Sequence, residues 1–82
     1  MLDFQELHRR LTSLLMERIR KGELTERGLS RITRVSQPHI HNVLKGKRFF
    51  STMTADSVLR ELHLDVLDLL HPRELHEWLQ RQ

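Results

Sequence analysis

Apolar residues recur every three or four positions along most of the chain, and this spacing divides it into short helices. Phe4, Leu7, Leu11, Leu14, Leu15 and Ile19 form the first stripe, with Gln5, Glu6, Arg9, Arg10, Glu17 and Arg18 between them. The pattern predicts one amphipathic helix of about five turns. Asp3 is its expected cap and Gly22 its stop, and Arg18, Arg20 and Lys21 lie where the helix dipole favours positive charge. A second helix is predicted from Thr25 to Arg34, capped by Thr25, with Leu29 and Ile32 turned inward after Leu24. Gly28 weakens its interior by about 1 kcal/mol relative to alanine and leaves room for close helix packing.

The stretch V-S-Q-P-H-I-H-N-V-L-K-G, from Val35 to Gly46, predicts the third helix. Ser36 caps it, Pro38 falls in the first turn where no intrahelical bond is lost, and Gly46 ends it. Its stripe of Ile40, Val43 and Leu44 is narrow, and a helix this short must dock that stripe on other helices to exist in water. The opposite face, rich in hydrogen-bonding groups, is then left exposed. Lys47 to Met53 has no period and reads as a loop in which one ring of the Phe49-Phe50 pair packs on the core. A fourth helix is predicted from Thr54 to His63 on Val58, Leu59 and Leu62, and a fifth from Asp65 to Leu70. His71-Pro72 breaks the chain before a last helix, Pro72 to Arg81, carrying Leu75, Trp78 and Leu79 on one face. The chain shows no strand pattern. The expectation is a single all-α domain over residues 1–82, a compact bundle of five to six short helices.

Length and composition narrow the picture. Eighty-two residues are near the lower limit for a chain that folds alone on one core, and the absence of cysteine removes disulfides and thiolate metal sites. The N-terminus has no basic start followed by an apolar run, and no stretch reaches the ~20 apolar residues of a membrane span, so the expected location is the cytoplasm. The net charge of +3 is modest but unevenly placed. Before Arg27, five basic residues balance five acids; from Arg27 to Ala55 six basic residues (Arg27, Arg31, Arg34, Lys45, Lys47, Arg48) meet no acid; from Asp56 onward three arginines meet six acids. A basic middle of this kind points to a polyanion.

Two short helices joined by a tight turn, the second polar on its free face, form the helix-turn-helix arrangement that enters the DNA major groove. Residues 24–48, L-T-E-R-G-L-S-R-I-T-R-V-S-Q-P-H-I-H-N-V-L-K-G-K-R, resemble the phage lambda repressor and Cro-type helix-turn-helix family. Leu24, Thr25, Leu29, Val35, Ser36, Ile40, Gly46 and Arg48 match its pattern without a gap, and a weaker similarity runs on to about residue 70. The departures carry structural consequences. Ser30 replaces a small alanine and fits a tight crossing if its hydroxyl bonds back to the helix. Arg34 replaces the glycine common in the turn, so its backbone must take a positive φ or the turn must differ. Glu26 replaces a glutamine that often meets a phosphate, and Leu44 replaces a frequent glutamate and widens the apolar stripe.

The resemblance implies sequence-specific binding of double-stranded DNA by a repressor-like transcriptional regulator. It assigns base contacts to Gln37, Pro38, His39, His41 and Asn42. Their chemistry suits this: the amides can pair with adenine, Pro38 can press on a thymine methyl, and a histidine can donate to guanine. It places Lys45, Lys47 and Arg48 on phosphates, together with Thr25, Ser36, Arg27, Arg31 and Arg34. It also implies a homodimer on paired half-sites. The Leu75, Trp78 and Leu79 face of the last helix is apolar enough to need cover, either from the same helix of a second subunit across that dimer or from Phe4, Leu7 and Leu11 of the chain's own first helix. Neither a cofactor nor a small-molecule ligand is expected. Histidine pairs 39/41 and 71/76 lack the i, i+4 spacing of a helical zinc site, and no glycine-rich phosphate loop or nucleophile pattern points to an enzyme. The competing expectation is a helical protein-interaction module or antitoxin-like partner, binding through the Leu75, Trp78, Leu79 face or the Phe49-Phe50 loop.

Overall fold

Leu11 and Leu15, one turn apart on the first helix, lose essentially all contact with solvent, and the third helix and the turn after Asp65 pack against that helix. The computed structural model describes residues 2–81, without the side chain of Trp78. Its elements are α1 (Phe4–Arg20), α2 (Glu26–Thr33), α3 (Gln37–Leu44), α4 (Thr52–Glu61), a 3₁₀ turn (Val66–Leu69) and α5 (Pro72–Gln80). Among the described residues there is no strand, and the fold is all-α as the periodicity predicts. One core joins Leu11 and Leu15 to Leu29 of α2, Ile40 and Val43 of α3, Phe50 of the loop after α3, Val58 and Leu59 of α4, and Leu69 of the 3₁₀ turn. Burying each large side chain of this set contributes about 1.5–3 kcal/mol.

Local chemistry sets the helix ends. Asp3, Thr25, Ser36 and Ser51 each accept the backbone N–H three residues on, which satisfies a donor that the helix itself leaves open. At the other end α1, α3 and α4 close in one way: a residue with positive φ (Gly22, Gly46, His63) and its successor donate their N–H groups back to the last carbonyls. The 3₁₀ turn carries a reciprocal cap, in which Asp65 accepts from Leu67 N–H while the Asp68 carboxylate accepts from Asp65 N–H.

Several expectations are corrected. The fourth helix begins at Thr52, two residues early, because Ser51 rather than a later residue supplies the cap. The segment after Asp65 is a four-residue 3₁₀ turn and not an α-helix. On α2, Ile32 is 41% exposed and Thr33 takes the buried place one turn after Leu29, its hydroxyl donating to the Leu29 carbonyl at 2.6 Å. Phe4, at the end of the first stripe, is 80% exposed. The space beside Gly28 holds no other helix: a Cβ there would stand 3.0 Å from the Thr25 hydroxyl oxygen, so this glycine makes room for the cap. Of the phenylalanine pair, Phe50 is the buried ring and Phe49 the exposed one.

α5 is tied to α1 by Arg10. Its guanidinium donates both to Glu74, at 2.5 and 2.7 Å, and to Glu6 and the Leu69 carbonyl. Glu74 also accepts the backbone N–H of His71, closing the start of α5 behind Pro72. A paired, charge-assisted contact of this kind fixes orientation as well as position. Arg9 and Arg10 together hold the Glu6 carboxyl down at about 2, and Arg10 with the His71 amide holds Glu74 at about 2, each from an ordinary 4.5. Both carboxyls are depressed on folding, so their contribution is complete above pH 4.5 and is lost as the pH falls from 4.5 toward about 2. Arg10→Met should therefore lower the hydrogen-exchange protection of α5 while leaving α2 and α3 protected, and should flatten the acid melting in that window. Uniform loss of protection across all helices would show that Arg10 supports the core and not α5 alone.

Candidate nucleic-acid interface

The α2–α3 pair is built around a left-handed residue. Arg34 adopts φ 62, ψ 18, the positive-φ alternative expected from its place in the turn, and its N–H closes α2 on the Ser30 carbonyl. The Ser30 hydroxyl does not bond back into its own helix. It donates forward to the Val35 carbonyl at 2.5 Å, and the Val35 N–H points to the Thr33 hydroxyl at 3.4 Å. Both polar groups of Val35 are thereby engaged by α2 side chains just before Ser36 starts α3, which fixes the angle at which α3 leaves the turn.

At about 100° per residue, fully buried Ile40 and Val43 define the inner side of α3. Pro38, His41, Asn42 and Lys45 then fall opposite, with Gln37 and His39 at the flanks. Gln37, Pro38, His41 and Lys45 are exposed, while Asn42 and His39 are half-buried. His39 leans toward the core, its ring edge-on to Phe50 with centroids 5.9 Å apart. Thr25 and Ser36 are exposed but spend their oxygens on caps, and Arg27, Arg31, Arg34, Lys47 and Arg48 are all exposed.

The charged residues divide sharply. Among the described residues, the arginine and lysine ion pairs involve Arg9, Arg10, Arg20 and Lys21, all on α1 or its cap, with Glu6, Glu17 and Glu74. None of the six basic groups from Arg27 to Arg48 has a carboxylate partner among them. One cross-helix contact reaches the exposed face: both carboxylate oxygens of Glu26 stand 3.3 Å from Nδ1 of His41. Sequence reasoning treats these two residues separately, and a separation of fifteen positions offers no periodic signal that would join them.

His8 is a residue that the sequence leaves unmarked. Its Nε2 accepts the Phe50 backbone N–H at 3.0 Å, and its ring meets Phe49 and Phe50 edge-on. α1 thus anchors the loop that carries Lys47 and Arg48. Leu75 is half-buried and Leu79 is 56% exposed, while the Trp78 side chain lies outside the described residues.

Comparison with protein-family models, with curated proteins and with solved structures finds no match. The geometry of this chain alone carries the functional argument.

Two predictions test how α3 is held. A non-glycine residue in the left-handed region costs about 1–2 kcal/mol, so Arg34→Gly should stabilise the domain by about 1 kcal/mol and raise its Tm by roughly 4–8 °C. A lower Tm would contradict the left-handed turn. Burial lowers the pKa of His8 below the ordinary 6.5, and a protonated Nε2 could not accept the Phe50 N–H. The stability held by neutral His8 is therefore complete above pH 6.5 and lost as the pH falls below it through the lowered value. NMR titration of the His8 ring should give a midpoint below 6.5, with the Phe50 amide resonance moving in step; a midpoint at or above 6.5 would contradict it.

Proposed function

We propose that this domain binds double-stranded DNA sequence-specifically as a repressor-like transcriptional regulator, with α3 in the major groove. The observation that carries the reading is the setting of α3. Its exposed face of Gln37, Pro38 and His41 is bracketed by Arg34 before and Lys45, Lys47 and Arg48 after, all exposed and without carboxylate partners among the described residues. Polar groups at the centre suit base edges and free cations at the margins suit phosphates. The left-handed turn between α2 and α3 supports the resemblance to the Cro-type helix-turn-helix, since it accommodates the one position where arginine stands for glycine. Gln37 and Asn42 take the adenine-reading roles, and Lys45, Lys47 and Arg48 hold the backbone. A single α3 reads few base pairs, so two copies on half-sites about one turn of DNA apart complete the proposal.

A second reading, a protein-interaction module, is favoured by one observation. An apolar groove of about 230 Å³ runs between α1 and α4, floored by Leu11 and Leu59 and edged by Phe4 and Phe49, of which Phe49 is 67% exposed. It leaves the unpaired basic run unexplained, and DNA binding is the stronger reading.

Mobility shift with random duplex, followed by selection of preferred sites, separates the two. Gln37→Ala should cost roughly 1–3 kcal/mol on the selected site and leave random DNA almost unaffected, whereas Lys47→Ala should weaken every duplex alike and reduce the salt slope by about one unit. No shift at low or moderate salt would leave the interaction-module reading in its place.

A further inference from the structure

We infer that Glu26 fixes the proton on Nδ1 of His41 and so makes His41 a reader of base amino groups, adenine N6 or cytosine N4, in place of guanine. The inference rests on the DNA-binding reading above for the ligand, but on this structure alone for the state of the ring. An ionised carboxylate can only accept hydrogen bonds, and both Glu26 oxygens lie 3.3 Å from Nδ1. The nitrogen facing them carries hydrogen. In the neutral ring Nε2 is then bare and can only accept, and the geometry of an imidazole directs it away from Glu26.

The consequence for base reading is chemical. In the major groove guanine presents N7 and O6, both acceptors, and offers nothing to a bare nitrogen. Adenine N6 and cytosine N4 present N–H groups, which are the partners such a nitrogen needs. The expectation drawn from residue type alone, a histidine donating to guanine, is thereby reversed for neutral His41. His41 lies one turn beyond Gln37 on the same side of α3, so the two side chains face the same way. His41 is 50% exposed and Glu26 29%, and a hydrogen bond this open to water contributes little to stability. Its effect is on which atom of the ring is presented. Glu26 is thus a positioning residue, acting on DNA through His41.

Two measurements test this at about pH 8, where an unperturbed imidazole is neutral. Nitrogen-15 NMR of the free domain should show the Nδ1–H form of His41 in the wild type, and Glu26→Ala should shift it toward the Nε2–H form that an isolated imidazole side chain prefers. Site selection from a random duplex library should give one position enriched in A or C, which Glu26→Ala moves toward G by about 10-fold and His41→Ala flattens, other positions being unchanged. A wild-type ring in the Nε2–H form overturns the inference whatever the DNA result. An unchanged base preference in a Glu26→Ala domain that melts like the wild type also overturns it. Absence of any sequence enrichment overturns the DNA reading itself, and the spectrum then still decides whether Glu26 sets the ring.

Discussion

The burial of Ile40 and Val43 is the contact on which the rest depends. α3 has eight residues, too few to persist in water by its own hydrogen bonds, so it exists only because these two side chains are fully removed from solvent. They share one core with Leu11 and Leu15 of α1, Leu29 of α2 and Val58 of α4, each itself buried. The requirement that a short helix be held along one side is also what leaves its other side free. Core packing and the exposed polar face of Gln37, Pro38 and His41 are two consequences of one amphipathic helix.

Rigidity at α3 comes from contacts on three sides of it. Before the helix, Ser30 and Thr33 engage both polar groups of Val35 while Arg34 reverses the chain in the left-handed region. After it, Gly46 and Lys47 donate back to Val43 and Asn42, and His8 accepts the Phe50 N–H from α1. From α2, Glu26 reaches His41 on the outer face. A helix held in this way presents side chains in fixed directions, which suits the proposed reading of a duplex, because disorder there would be lost at entropic cost on binding.

The charges obey a division of labour that composition conceals. Glu6, Glu17 and Glu74 are occupied by the cations of α1, so the arginines there serve the fold: Arg10 joins α1 to α5, and its neighbours reinforce the helix surface. The cations from Arg27 to Arg48 meet no carboxylate among the described residues, and their charge stays exposed. Net charge alone, at +3, would not have separated these groups.

Periodicity and capping chemistry by themselves determine the all-α class, the positions of α1, α2 and α3 and the stop at Gly46, because helix repeat, N-cap oxygens and positive-φ glycines act within four residues. The same local reasoning locates the outer face of α3 and the acid-free basic run. It misplaces Ile32, Phe4 and the start of α4, since a stripe says which residues are apolar but not where the neighbouring helix ends. Thr33 is buried against expectation because its hydroxyl can bond the Leu29 carbonyl, which lets a polar residue take an apolar place. Only the tertiary structure joins Glu26 to His41, His8 to Phe50 and Arg10 to Glu74, pairs 15, 42 and 64 residues apart. Such contacts depend on how whole helices pack, and packing is decided by the shape of the shared core, a property that no window of a few residues contains.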